Sequence, residues 1–236
     1  MERPGPFQLV VALILGIMAV SCGSLFIRLA SAPFLAVAAY RVAWATLLLA
    51  PMLAGGSLRE LRGLTRREWG SMIPSGVALA LHFALWIASL SYTSVASSVV
   101  LVDTTPFFIG LASHLFLKRP SRRQFWVGLA IAFLGTLVIF RGDWAQSTGS
   151  LKGNALAVSG AIAMAVYLMI GAQVRQKLSL FAYVWPVYGT AALVLIIACL
   201  VSHTPLRGFS RRTHLYMFLV GLVPQSIGHT TYNLSL

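Results

Sequence analysis

Acid is what this sequence has least of. Five of its 236 residues are acidic (Glu2, Glu60, Glu68, Asp103 and Asp143), and charged residues of both signs together make up 10%. A water-soluble domain carries about a quarter charged residues to keep its surface wet, so a soluble globular fold is excluded. Cysteine is scarce as well. Cys22 and Cys199 both lie inside apolar runs and carry no signal about redox compartment. No cluster has metal-ligand spacing, since the five histidines are scattered. Period-2 alternation with turns every ten residues is absent, which excludes a membrane β-barrel. The net charge of +13 would suit nucleic acid, but Lys and Arg sit in short clusters between apolar runs, as in "KRPSRR" at 118–123, and not along one face. Nucleic-acid binding is excluded on that ground.

What is present is apolar length: 58% of the residues are hydrophobic. A membrane-crossing helix needs about 20 apolar residues, and that ruler marks eight spans at 7–27, 33–54, 71–91, 94–117, 124–140, 153–173, 180–202 and 216–236. The fold class expected is an all-α polytopic membrane protein, a bundle of eight transmembrane helices. The N-terminus loosely resembles a signal segment. The apolar run continues past Cys22 to Ile27 and more spans follow, so an uncleaved first span is expected. With the N-terminus inside, inside loops hold eleven basic residues and outside loops six. That bias places the N-terminus and loop 55–70 in the cytoplasm.

A short sentence is written twice. "LRGLTRREW" at 61–69 and "LRGFSRRTH" at 206–214 share Leu-Arg-Gly, an apolar residue, a hydroxyl and Arg-Arg, each ahead of an apolar run. Five spans separate the copies, an odd number, so they enter the membrane from opposite sides. At offsets of 145 to 147, Arg28 matches Arg175, Phe34 matches Phe181, Val37 matches Val184 and Trp86 matches Tyr232. This is the pattern of an inverted repeat, an architecture of secondary transporters with the substrate at the midplane between halves.

Residues 89–140, with Ser97 and Ser98, a mid-helix Pro106, the turn Arg122-Arg123-Gln124 and Gly128 with Gly135, resemble spans four and five of the EamA-type drug/metabolite transporters. "AAYRVAWATLLL" at 38–49 resembles that family's second span, with its embedded Arg at Arg41. The resemblance implies ten helices as five plus five, both termini cytoplasmic, and export or exchange of small metabolites. It divides the chain into a first repeat, 1–145, and a second, inverted repeat, 146–236, of three spans. Two departures stand out. Lys118-Arg119 replaces the family's Gly-Glu pair, and the second repeat ends near the counterpart of Leu90. The expectation is a chain truncated before its last two helices, which inserts but does not transport alone.

Polar groups in hydrocarbon need a partner or a role. Asp103 is the one acid deep in a span. Three residues on, Pro106 lacks a backbone donor and frees the carbonyl of Val102. "VDTTP" thus gathers a carboxylate, the hydroxyls of Thr104 and Thr105 and a free carbonyl at one depth. Arg41 is the matching cation, midway along span two. The two read either as an ion pair stapling helices or as functional groups, Arg41 anchoring an anionic or zwitterionic substrate and Asp103 serving substrate or proton. His82 and Trp86, four apart, share one face of span three. His229 and Tyr232 share a face of span eight, with Gln225 one turn earlier. In an inverted repeat such faces can line an aromatic cavity for flat or amphiphilic solutes, whereas each aromatic taken singly reads as core or lipid packing. Tyr167 in span six is a weaker candidate, as are Gln173 and Trp185. The Ser94, Ser97, Ser98 stripe and the Gly128, Ala132, Gly135 stripe read as helix-packing surfaces.

The function expected is a secondary transporter of small metabolites such as amino acids or drug-like solutes, working by alternating access in a cell membrane, the bacterial inner membrane. The partners expected are a small-molecule substrate and the bilayer, with a homodimer left open; no cofactor and no metal are expected. The alternatives are a channel or structural membrane subunit, and an intramembrane enzyme. Against the enzyme, aspartyl proteases need two embedded aspartates, and no oxyanion-type glycine motif flanks any serine.

Overall fold

The structure, a computed structural model, describes residues 5–54, 56–116, 122–144 and 150–234, without the side chains of 6 and 136–144. The expected repeat boundary at 145/146 and the Lys118-Arg119 departure lie outside these residues.

The described chain is helical, with no strand. Its helices are α1 (Pro6–Ser21), α2 (Gly23–Ala30), α3 (Phe34–Leu49), α4 (Gly56–Arg62), α5 (Arg66–Ser89), α6 (Val95–Val102), α7 (Thr105–Leu115), α8 (Arg123–Trp144), α9 (Leu151–Val174), α10 (Leu180–Val201), α11 (Arg211–Val220) and α12 (Thr230–Leu234). A π-helical segment, Gly221–His229, joins the last two. Among the described residues, six helices are long and apolar enough to cross a membrane: Phe7–Ala30, Phe34–Leu53, Arg66–Ser89, Val95–Leu115, Leu151–Val174 and Leu180–Val201. These match six of the eight expected spans. The fifth is represented among the described residues by the shorter apolar stretch Arg123–Gly135. The eighth is helical from Arg211 to Leu234 but passes through the π segment.

The chain divides into two compact units, one of residues 1–80 with 170–236 and the other of residues 81–169. In the first, α3 and α10 make the most extensive helix pair. Both carry buried alanines, Ala36, Ala39 and Ala45 on one and Ala182 and Ala191 on the other, and small side chains let two backbones approach. The pair is antiparallel. The indole N–H of Trp185, early in α10, donates to the carbonyl of Thr46, late in α3, at 3.1 Å. At the opposite end the Tyr40 hydroxyl donates to the carbonyl of Leu206, past the end of α10, at 2.8 Å. Beyond the other end of α3, α4 reaches the start of α10. Its Glu60 carboxylate accepts the Ser179 N–H at 2.8 Å, and the Ser57 and Ser179 hydroxyls lie 3.1 Å apart.

The two copies of the basic sentence therefore sit at opposite ends of the α3–α10 pair, and each starts a helix in the same way. Thr65 caps α5 in a reciprocal box, its N–H donating to Glu68 at 2.8 Å while its hydroxyl accepts the Glu68 N–H at 3.3 Å. Ser210 caps α11 by accepting the Thr213 N–H at 3.1 Å. In both, Arg-Arg fills the first helical positions.

The second unit holds the rest of α5, α6 to α8 and α9 as far as residue 169. Span four is two helices, α6 and α7, broken at Asp103-Thr104 just before Pro106. Proline has no N–H to donate into the α-helical ladder, and its ring crowds the carbonyl four residues back, that of Val102. A Cβ on Gly153 would stand 2.8 Å from the Thr93 Cβ and the Tyr92 backbone, so glycine is what lets α9 close on the turn after α5.

Candidate functional site

Helix α3 is apolar along its length, yet at its middle it carries Arg41, whose side chain has no exposed surface. Its Nε donates to the Oε1 of Gln225 at 2.7 Å. Gln225 is also fully buried and comes from the π segment. From α10, the buried Tyr188 completes the group. Its hydroxyl lies 3.3 Å from that of Thr230, and it is within electrostatic reach of Arg41, with Gln225 and Asn233 beside it. The Asn233 amide donates to the carbonyl of His229 at 2.8 Å, while Arg175 Nε donates to the Asn233 carbonyl at 3.2 Å. A second buried pair in this unit joins the hydroxyls of Ser75 and Tyr183 at 2.7 Å.

The π segment places Gln225 for an identifiable reason. Pro224 has no N–H, and its ring collides with the carbonyl four residues back in an ordinary helix. Widening the turn relieves that collision. The hydroxyls follow the wider turn: Ser226 donates to Gly221 O at 2.8 Å and Thr230 to Gln225 O at 3.4 Å, each five residues back.

Of the residues singled out from sequence, the structure brings Arg41 and Gln225 into direct contact in the first unit. His229 and Tyr232 lie there too, His229 buried and its ring centroid 5.7 Å from that of Tyr232. In the second unit the His82 and Trp86 rings stack, 6.0 Å apart and 9° from parallel. His82 Nδ1 lies 3.0 Å from the carbonyl of Gly160, a partner that only accepts, so it is the protonated nitrogen. Gly160 faces the pair closely; a Cβ there would stand 3.3 Å from the Trp86 nitrogen. Tyr167, two turns further along α9, is fully buried.

The "VDTTP" group is arranged differently from the expectation that its polar atoms gather. The carbonyl of Val102, freed by Pro106, is taken by the Thr105 hydroxyl at 2.7 Å, and the Thr104 hydroxyl donates to the carbonyl of Leu101 at 2.6 Å. Each hydroxyl donates to a carbonyl at the helix break, and that of Thr105 also lies 3.4 Å from the Ala161 carbonyl. Asp103 caps α6 and is exposed. Tyr188, Tyr183, Ser75 and Thr230 are among the buried polar residues that sequence reasoning passed over. For Tyr188 a signal existed, because the offset of 147 that matches Phe34 to Phe181 and Val37 to Val184 carries Arg41 onto Tyr188.

Residues 7–141 match the EamA-like transporter family. A stretch of 117 residues, 50% of this chain, is 29% identical to a riboflavin transporter of Rhizobium johnstonii, where it covers 37% of that protein. Another of 86 residues, 34% of this chain, is 35% identical to a thiamine-repressible mitochondrial transport protein of Saccharomyces cerevisiae, covering 23% of it. The chain thus spans well under half the length of these curated relatives. A solved crystal structure superimposes with a TM-score of 0.71 at 19% identity, over 96% of this chain and 79% of that one. At that identity the likeness concerns the fold alone.

Proposed function

Because this chain belongs to the EamA-like transporter family, we propose that it works as a secondary transporter of small metabolites by alternating access, as a multi-pass protein of the bacterial inner membrane with its N-terminus cytoplasmic. The observation that carries the reading is Arg41. A cation at the centre of a spanning helix costs about 2.5–3.5 kcal/mol on insertion scales, and a scaffold avoids that with a neutral residue. Here the guanidinium is buried at mid-helix and held by Gln225 from the π segment. Such a group suits a solute bearing a carboxylate or another anionic centre, free or in a zwitterion, and Tyr188 and Thr230 add hydroxyls beside it.

Two features support an inverted repeat. Helices α3 and α10, which correspond at an offset of 147, pack antiparallel. The two basic sentences also start α5 and α11 with matching hydroxyl caps at opposite ends of that pair. An inverted repeat favours alternating access over a pore. The aromatic pairs His82–Trp86 and His229–Tyr232 are the next residues assigned to substrate, with Tyr167, Asp103 and Thr104 after them.

Proteoliposomes carrying the full-length protein test this, assayed with a panel of labelled anionic, zwitterionic and cationic solutes. The expected result is flux that saturates, is trans-stimulated and falls in Arg41→Gln. Flux rising linearly with concentration means a pore. Flux equal to that of empty vesicles across the panel removes the reading.

A further inference from the structure

We propose that the π-helical turn around Pro224 is the positioning device of this site, and that Gln225 acts through Arg41 by aiming its guanidinium. The inference rests on the reading of Arg41 as the substrate anchor. It assigns a role to a stretch of backbone, Gly221–His229, that the fold alone does not require, since an ordinary α-helix would span the same distance. Long π segments are rare and concentrate where a side chain must be placed off the regular helical path.

Both ends of the segment are pinned. A Cβ on Gly221 would stand 2.5 Å from the Cβ of Trp44 and 3.0 Å from the carbonyl of Arg41 itself; a Cβ on Gly228 would stand 2.5 Å from Val20 Cγ2 and 3.2 Å from the Gly16 carbonyl. Between these close approaches to α3 and α1, the wide turn sets how far Gln225 rotates toward α3. With Oε1 at 2.7 Å from Nε, Gln225 fixes the plane of the guanidinium and so the direction of the rest of its fork. Tightening the turn to α-helical spacing rotates the residues beyond it about the helix axis. Oε1 then leaves the line to Nε, and His229 and Asn233 turn with it.

The test is a double-mutant cycle that needs no ligand. Pro224→Ala restores a backbone donor at residue 224 and removes the collision that widens the turn; Gln225→Leu removes the acceptor. Each is paired with Arg41→Met, and unfolding midpoints are measured in detergent. If both act through Arg41, the shift each causes changes by about 2 °C or more when Arg41 is absent. Shifts of equal size in both backgrounds overturn the proposal. Should Pro224→Ala not fold, the Gln225→Leu half of the cycle decides alone. In transport, both variants should raise the half-saturation constant about tenfold, the effect of losing one hydrogen bond to a charged group, with the maximal rate kept. A lower maximal rate at an unchanged half-saturation constant also overturns it, because that is what mere loss of folded protein produces. Absence of saturable uptake in the unmodified protein sinks the transporter reading, while the unfolding cycle still decides this one.

Discussion

Arg41→Gln separates a binding residue from a structural staple, because the two roles predict opposite signs for stability. The wild-type bond from Nε to Gln225 at 2.7 Å is a hydrogen bond to a charged donor, worth about 1.5–3 kcal/mol, and a neutral amide at position 41 recovers about 1 kcal/mol of it. The net loss is about 0.5–2 kcal/mol. Against this, the variant no longer holds a cation at the middle of a spanning helix, a relief of about 2.5–3.5 kcal/mol. The relief wins by about 0.5–3 kcal/mol. For a chain of this size 1 kcal/mol moves the midpoint by about 2–4 °C, so the variant should unfold at the same temperature as wild type or several degrees higher. Binding of anionic solutes, followed as ligand-dependent shifts of the same midpoint, should disappear. A midpoint lowered by more than about 5 °C would refute the reasoning, for then the guanidinium holds helices together and its retention needs no substrate.

Other perturbations follow from the same geometry. Asp103 is exposed at the end of α6, inside span four, so Asp103→Asn removes a carboxylate from hydrocarbon and should leave the unfolding midpoint unchanged or raise it; a large drop would mean that its carboxylate holds a helix. Gly76→Ala puts a Cβ 2.6 Å from the Thr190 Cβ and 2.8 Å from the Val187 carbonyl. Overpacking of this kind costs about 1–3 kcal/mol, and Thr190→Ser should not rescue it because the carbonyl remains. An unaltered midpoint would show that α5 and α10 do not approach this closely. Cysteines at Gly56 and Arg207, both exposed and at opposite ends of the α3–α10 pair, should react with impermeant maleimide from opposite sides of the membrane, and reaction of both from one side would remove the inverted repeat.

Six of the eight expected spans were legible in the sequence because an apolar run of about 20 residues has few alternatives in a chain with so little acid. The helix starts are earlier than the span bounds of 71 and 216, because the hydroxyls of Thr65 and Ser210 accept backbone N–H groups three residues on and so begin α5 and α11 ahead of the apolar runs. Pro106 showed which carbonyl would be freed, but span four was expected as one helix, whereas it is broken at Asp103-Thr104. Partnerships between helices were harder. Sequence gives the depth of Arg41 and the face it shares with its neighbours, but its rotation toward α10 and the π segment depends on the alanine seams and on Pro224 acting on a residue of another helix. The same limit explains Thr105. Its hydroxyl looked available for a site, but the carbonyl that Pro106 releases lies within the same turn, and the nearest donor takes it.

The match of Arg41 with Tyr188 carries an argument about the repeat itself. If α3 and α10 descend from one helix, the same position has become a cation in one copy and a phenol in the other. The antiparallel pairing brings those two positions within reach of each other. Two guanidiniums at that point would repel in a low-dielectric interior, where a like charge at short range costs several kcal/mol. A fold with two-fold pseudo-symmetry can therefore keep an arginine at its axis only by breaking the symmetry there. The neutral copy supplies a hydroxyl, which can donate to an anion or accept from the guanidinium without adding charge. On the proposed reading, the asymmetry leaves one guanidinium facing one phenol across the α3–α10 pair, which gives the group a direction toward a solute with an anionic end.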